Sequence, residues 1–479
     1  MMPLVVQRRS RFPLYALLFL ILVVVGGLSY LGWRQSVPGV RVAGTAPRFL
    51  GQKTPIKLDV EAARGQVAHA EVRVVQAGKT TVIARPDAPL GKRGTIAGTV
   101  DSASLGLREG EAVIEVWGRD DFWRPLPHND RLAARFPVTV DLTPPKLEIL
   151  AATPYVAPGG SGLVVFRAEG ANSAEVRVGN TTFPSFAYGP PERGARIALL
   201  ALPWDFKPGT PMTVAAQDEA GNAATRGMPG EVLPRKFPRD RIEVKESFLQ
   251  LKVPELLPQR PTTAPLLEGF LIINRDQRKQ AEEEKRRVGA KSADHGLWEG
   301  AFVQPRNTKV FANFAESRSY VYNGREVDTQ VHYGYDLAST KHSAVPAANK
   351  GVVAFAGPLT IYGNTVILDH GLGLQTLYAH LSSIGVKVGD SVDKGQELGR
   401  TGTTGLAIGD HLHYEVLVNG VSVTPLEWWD AKWIRDRVAK PLAQANLPTL
   451  GGVDPGASTV AAADEAPKPT PTRRSRRTR

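Results

Sequence analysis

The sequence contains no cysteine. That removes disulfides, thiol nucleophiles, cysteine-based zinc fingers and iron–sulfur ligation together. Any ligand or nucleophile must come from histidine, carboxylates, serine, lysine or tyrosine. Acidic residues are in deficit as well, giving a net charge of +12. Nine of the cations (Arg8, Arg9, Arg11, Lys468, Arg473, Arg474, Arg476, Arg477 and Arg479) sit at the two tips without acidic neighbours, so residues 12–467 keep only 12 − 9 = +3. A basic balance confined to the ends is not the footprint of a nucleic-acid-binding domain, and no nucleic-acid partner is expected. With 42% apolar and 22% charged residues the chain has a globular composition, and 479 residues suggest about three domains.

One long stretch has no charge at all. Residues 12–33 read FPLYALLFLILVVVGGLSYLGW. As a helix this run spans about 33 Å, enough for a bilayer core. The arginines before it place the N-terminus (residues 1–11) in the cytoplasm by the positive-inside rule. The run is longer than a signal-peptide core and lacks an Ala-x-Ala site, which favours an uncleaved anchor. Everything after residue 34 then lies outside the cytoplasm, with the inner (cytoplasmic) membrane as the expected location.

Beyond the anchor the sequence predicts a mainly β protein. Residues 37–232 carry short β-branched runs punctuated by Gly, Pro and Asp. Ala70-Glu71-Val72-Arg73-Val74 recurs as Ala174-Glu175-Val176-Arg177-Val178, and Val116–Asp120 aligns with Val214–Asp218. The repeat predicts two β-sandwiches, 37–141 and 142–232. The second resembles bacterial immunoglobulin-like domains at Asp141-Leu-Thr-Pro-Pro145 and Asp218-Glu-Ala-Gly-Asn222. Such domains are expected to act as spacers, with a protein partner as the other use. Residues 233–300 form a connector with a charged helix, from Asn274 as N-cap to Gly289, expected to be a solvated helix packed on a neighbour. Residues 301–436 are strand-rich and end in a Trp-rich helix from Pro425 to about Lys440, and 444–479 read as a disordered basic tail.

The histidines mark the chemistry. Six of nine fall between residues 332 and 413. In His332-Tyr-Gly-Tyr-Asp336 an extended chain puts His332 and Asp336 on one face, flanking Gly334, whose missing side chain leaves room for an ion. In His411-Leu-His413-Tyr-Glu415 the apolar alternation puts both histidines and Glu415 on one strand face. His380 ends another strand. A catalytic zinc needs three protein ligands and an open position. Four histidines and a carboxylate are enough for three ligands and two imidazoles free for proton transfer.

At these residues the sequence resembles the lysostaphin/LytM-type zinc endopeptidases, which cut peptide cross-links in bacterial peptidoglycan. The resemblance covers about residues 301–430 and includes Tyr378-Ala-His380-Leu381 and Gly399-Arg-Thr-Gly402-Thr-Thr-Gly405 in family order. It implies a β-rich peptidase domain, Zn²⁺ held by His332, Asp336 and His413, and a catalytic pair, His380 and His411. It also implies peptidoglycan stem peptides as substrate. Phe314-Ala315-Glu-Ser-Arg318 departs from the family's Phe-Gly-x-Arg. His370 and His342 are expected to be structural and solvated, respectively. Glu415 either orients a ligating histidine or is simply an exposed charge. The alternatives are a non-catalytic scaffold of the same fold that activates other wall hydrolases, or an adhesion protein built on the immunoglobulin-like repeats.

Overall fold

The computed structural model describes residues 11–456, and the chain divides into two compact units. The first comprises residues 1–145 and 217–223, the second 146–216 and 224–479. The Arg cluster of the expected tail lies outside the described residues.

In the first unit the apolar run forms one helix, Phe12–Ser36, long and apolar enough to cross a membrane and with no side chain buried. At its end Arg34 donates to the Trp123 carbonyl at 3.1 Å and lies over the Phe122 ring. A three-stranded and a five-stranded sheet follow, and their alternating residues close one apolar core around Leu58, Val72, Ile96 and Ile114. The strand Lys53–Ala62 shows the pattern plainly, burying every second side chain.

The second unit opens with two four-stranded sheets whose shared core includes Leu163, Phe166, Phe183 and Val214. The sequence repeat falls on equivalent places. Val67–Gln76 lies beside Gly110–Asp120 in the first unit, and Ser173–Val178 lies beside Met212–Gln217 in the second. In each copy the repeat's arginine pairs with the glutamate two residues before it on the same strand face (Arg73 with Glu71, Arg177 with Glu175).

The rest of the second unit is built on an eight-stranded sheet. Its centre runs Tyr335–Ala338, Leu412–Val418, Leu374–Leu381, Asn364–Asp369, all antiparallel. One face, with Tyr378, Tyr414 and Val416, packs into a core with Trp428 and Trp298. The other face, with Ile367, Leu377 and Leu417, is covered by the connector through Leu249, Val253, Phe270 and Ile273. The charged helix is thus packed on a neighbour as expected, with Glu283, Arg286 and Arg287 left at the surface. The helix starts earlier than Asn274: it runs from Leu266 through a π turn at Ile273–Gln277 to Gly289, and Ala281, Lys285 and Gly289 are buried. Asn274 is no N-cap but sits buried in the π turn, its amide donating to Asp328.

The Trp-rich helix is interrupted at Asp430, whose extended backbone ends Pro425–Trp429 and whose carboxylate caps Ala431–Ile434. The tail expected from residue 444 starts later. Leu447 and Leu450 are buried in the core and Gly451 accepts from the Gly300 amide against the Trp298 ring, so this part of the expected tail is packed.

Candidate metal and catalytic site

Strand register assembles the site. Asp336 stands directly opposite His413, and His413 directly opposite Ala379, one residue before His380. Cross-strand partners share a sheet face, so Asp336 and His413 meet without any loop excursion. His332 arrives from a different sheet, as the last residue of Arg325–His332. The single extended segment expected over 332–336 is therefore broken at Tyr333-Gly334. The role expected of Gly334 changes with it. A Cβ there would lie 2.5 Å from the Tyr414 carbonyl and 2.8 Å from His413 Nε2, so the missing side chain admits the His413 ring rather than an ion.

His332 Nε2, His413 Nδ1 and Asp336 Oδ1 lie 2.9 Å from one another, all three residues buried. The outer ring atoms determine what these inner atoms carry. His332 Nδ1 is 2.9 Å from the Asn313 carbonyl and His413 Nε2 is 2.9 Å from Glu415 Oε1. Carbonyl and carboxylate oxygens only accept, so each of those nitrogens bears the proton. In the neutral form of each ring the inner nitrogen is then the lone pair, turned with Asp336 Oδ1 towards a common point. With a proton on an inner nitrogen the same 2.9 Å contact is a hydrogen bond to the carboxylate, and a metal ion would take that proton's place. Two imidazoles and a carboxylate form a donor set suited to zinc.

Two further imidazoles flank this cluster. His380 Nδ1 donates to the Thr404 carbonyl at 2.8 Å, and His411 Nδ1 to the Gly409 carbonyl at 2.7 Å. Each ring keeps its Nε2 free of backbone partners, and that of His411 is 3.5 Å from Asp336 Oδ1. The two rings are 4.8 Å apart. Burial, with His411 and His413 close by, holds His380 well below the usual histidine range and keeps its ring neutral. Its backbone is left-handed, with φ of +61°, a conformation that a non-glycine residue keeps only when its surroundings enforce it.

The structure thus brings together all five expected site residues and leaves the other two histidines outside. His370 is buried and saturated by the Lys350 carbonyl and the Thr376 hydroxyl, and burial lowers its pKa to about 4. His342 is exposed but, contrary to expectation, not without partners: its ring lies 3.1 Å from the Ser382 hydroxyl. Glu415 is fully buried and accepts from His413, Ser422 and Lys285, so it is no exposed charge. Two participants were missed in the sequence. Arg318 binds Asp336 Oδ2 at 3.1 Å, leaving Oδ1 to the cluster, and its signal was present in the Phe-x-x-x-Arg segment. Lys285 gave no signal, being hidden in a run of six charges.

A cavity of about 790 Å³ holds the cluster in its lining, together with the exposed Phe311 and Ile408 and with Val244, Lys245 and Phe248 of the connector. Residues 330–425 match the family described as Peptidase family M23. The chain carries an M23 peptidase domain. That domain is similar to the DD-carboxypeptidase/endopeptidase Mpg of Neisseria meningitidis, 41% identical over 97 residues, which cover 20% of this chain and 22% of the relative. It is also similar to the peptidoglycan DD-endopeptidase ShyA of Vibrio cholerae, 40% identical over 96 residues and covering the same shares. Among solved structures, the catalytic domain of lysostaphin from Staphylococcus simulans is 31% identical, covers 25% of this chain and 90% of that one, and superposes with a TM-score of 0.22. The chain spans about a fifth of the length of the relatives it matches.

Proposed function

We propose that this protein is a zinc-dependent endopeptidase that hydrolyses peptide cross-links of peptidoglycan, with Zn²⁺ held by His332, Asp336 and His413. The observation that carries the proposal is the convergence of two imidazole nitrogens and a carboxylate oxygen, 2.9 Å from one another and buried, a donor set suited to zinc. Bound zinc supplies Lewis acidity, acidifying a water and polarising a peptide carbonyl. The protein's own part falls to His380 and His411. Their Nδ1 protons are committed to backbone carbonyls, so proton exchange takes place at the two Nε2 atoms. The ring that accepts the attacking water's proton becomes a donor at that same atom and can return the proton to the leaving nitrogen. No His-Glu-x-x-His helix contributes a glutamate base, and a neutral imidazole fills that role.

The names of the relatives support peptidoglycan as the substrate class. The cavity, lined by both apolar and charged side chains, suits a stem peptide. In the same reading residues 12–33 anchor the chain in the cytoplasmic membrane with the N-terminus inside. Segments 37–141 and 142–232 serve as β-sandwich spacers, with 233–300 as connector and 301–436 as the catalytic domain. The test is digestion of purified peptidoglycan by the exported chain with and without bound zinc. Zinc-loaded protein should release cross-link-cleaved muropeptides and stripped protein none. Equal product from both would overturn the proposal.

A further inference from the structure

Lys285 is the most unusual charge in the molecule, because its side chain is completely buried. An ammonium group taken from water is costly unless its protons are matched by acceptors and its charge by a counter-charge. Here both conditions are met. Nζ lies 2.9 Å from Glu415 Oε2 and 2.7 Å from Glu282 Oε1, with the hydroxyls of Ser422 and Tyr362 each at 3.1 Å. Burial alone would lower its pKa, but Glu282 and Glu415 raise it and keep the group charged.

Glu415 is what makes this arrangement matter to the site. Its Oε1 accepts the His413 Nε2 proton, and its Oε2 receives Ser422 and Lys285. The line from connector to metal cluster is therefore Lys285, Glu415, His413, with heavy-atom separations of 2.9 Å at both links. The backbone is shaped to bring the helix this close. A Cβ on Gly289 would lie 2.5 Å from the Gly420 amide, and a Cβ on Gly420 would lie 2.5 Å from the Lys285 carbonyl. Helix and strand turn touch main chain to main chain, directly beyond the strand that carries His413.

We propose that Lys285 is a positioning residue of the metal site. The connector helix inserts a permanent cation beneath Glu415, fixes that carboxylate's rotamer, and through it holds the His413 ring with Nδ1 towards the cluster. The partner of a ligating histidine commonly sets ring orientation and basicity, and its loss typically costs 10- to 100-fold in metal affinity. In this protein the partner is itself held by a residue outside the matched segment 330–425. The M23 fold alone does not complete the site. This inference rests on the ligand assignment proposed above.

The experiment measures zinc affinity of the full chain by competition with a chromogenic chelator, and the visible spectrum of the cobalt-substituted protein. Lys285→Met should weaken zinc about 10-fold and shift the cobalt bands, while Glu282→Gln, which leaves the Lys285–Glu415 contact in place, should stay within about twofold of the parent. Should Lys285→Met fail to fold, Lys285→Gln, which keeps a donor towards Glu415, takes its place with an expected loss of about threefold and a smaller band shift. A folded Lys285 variant with parental affinity and spectrum overturns the positioning role. His413→Ala separates the two levels. If it loses zinc while the Lys285 variants keep it, only the positioning role fails. If it keeps zinc, the ligand assignment has failed as well.

Discussion

Two buried glutamates stand twelve residues apart in this chain and behave in opposite ways. Glu415, beneath the His332–Asp336–His413 cluster, is met by the Lys285 ammonium, the His413 ring N–H and the Ser422 hydroxyl. Burial works against its charge, but Lys285 and His413 pull its pKa well below the usual carboxylate range. Glu427, where the second β-sandwich meets the peptidase sheet, accepts the Ser161 amide at 2.7 Å and the Ser161 hydroxyl at 3.0 Å, with the Arg235 guanidinium only at 3.4 Å. Burial prevails there and raises its pKa to about 7. Depth does not distinguish them. The closeness and number of the cationic partners do: Glu415 has Lys285 and the His413 ring at 2.9 Å, Glu427 a single guanidinium at 3.4 Å.

The largest effects are expected on the Glu415 side. His413→Ala should abolish both zinc binding and peptidoglycan hydrolysis, whereas His411→Ala should keep zinc and lower the hydrolysis rate about 1,000-fold. Metal content and turnover measured on the same samples check this, and zinc loss in His411→Ala would reassign that ring as a ligand. The direct comparison comes next. Glu415→Gln should destabilise the fold by about 3 kcal/mol, because it strips Lys285 of a buried counter-charge. Glu427→Gln should instead be neutral or stabilising at pH 8, by up to about 2 kcal/mol. Denaturant titrations of the two variants at pH 8 that gave the same sign would end the contrast.

The pH dependence sharpens it further. The folded-state pKa of Glu427, about 7, is raised above its ordinary value of 4.5, so the folded form binds the proton more tightly than the unfolded one. Its contribution to stability is fully present below pH 4.5 and is lost as pH rises through 7, a change of about 3 kcal/mol. Melting curves of the parent should show this decline between pH 5 and 8, and those of Glu427→Gln should lack it. The smallest effect concerns Ala315, which holds a left-handed backbone with φ of +58° where the related pattern carries glycine. Ala315→Gly should change stability by no more than about 1 kcal/mol, in the stabilising direction, because relief of the strained backbone is partly offset by glycine's greater unfolded-state freedom. A loss of stability on thermal melting would mean that its methyl group packs to more effect than its backbone strains.

The mainly β architecture and the apolar helix were legible because both announce themselves locally, one by alternation and one by an unbroken run. The clustering of His332, Asp336, His380, His411 and His413 was legible for a related reason: His411 and His413 are two residues apart at the start of a strand, and His332 and Asp336 are four residues apart. What the sequence hid was long-range. Nothing near Lys285 separates it from Arg286 and Arg287, which stay at the surface, since its burial is decided by the main-chain contact between Gly289 and Gly420. The fate of Gly334 was hidden too, because the group that occupies its space comes from His413, 79 positions on. The packing of Leu447 and Leu450 was masked by a proline- and alanine-rich composition that resembles a linker.

The π turn at Ile273–Gln277 sets the phase of the connector helix. It adds one residue between the half that buries Phe270 and the half that buries Lys285, and Thr360 takes up its displaced Gln277 carbonyl at 2.9 Å. One residue corresponds to about 100° around a helix axis. Were the same residues to close as an ordinary α-helix, Lys285 would swing about 100° away from Glu415 with every side chain still present. The winding of this helix thus decides whether Lys285 reaches the His332–Asp336–His413 cluster as much as its composition does.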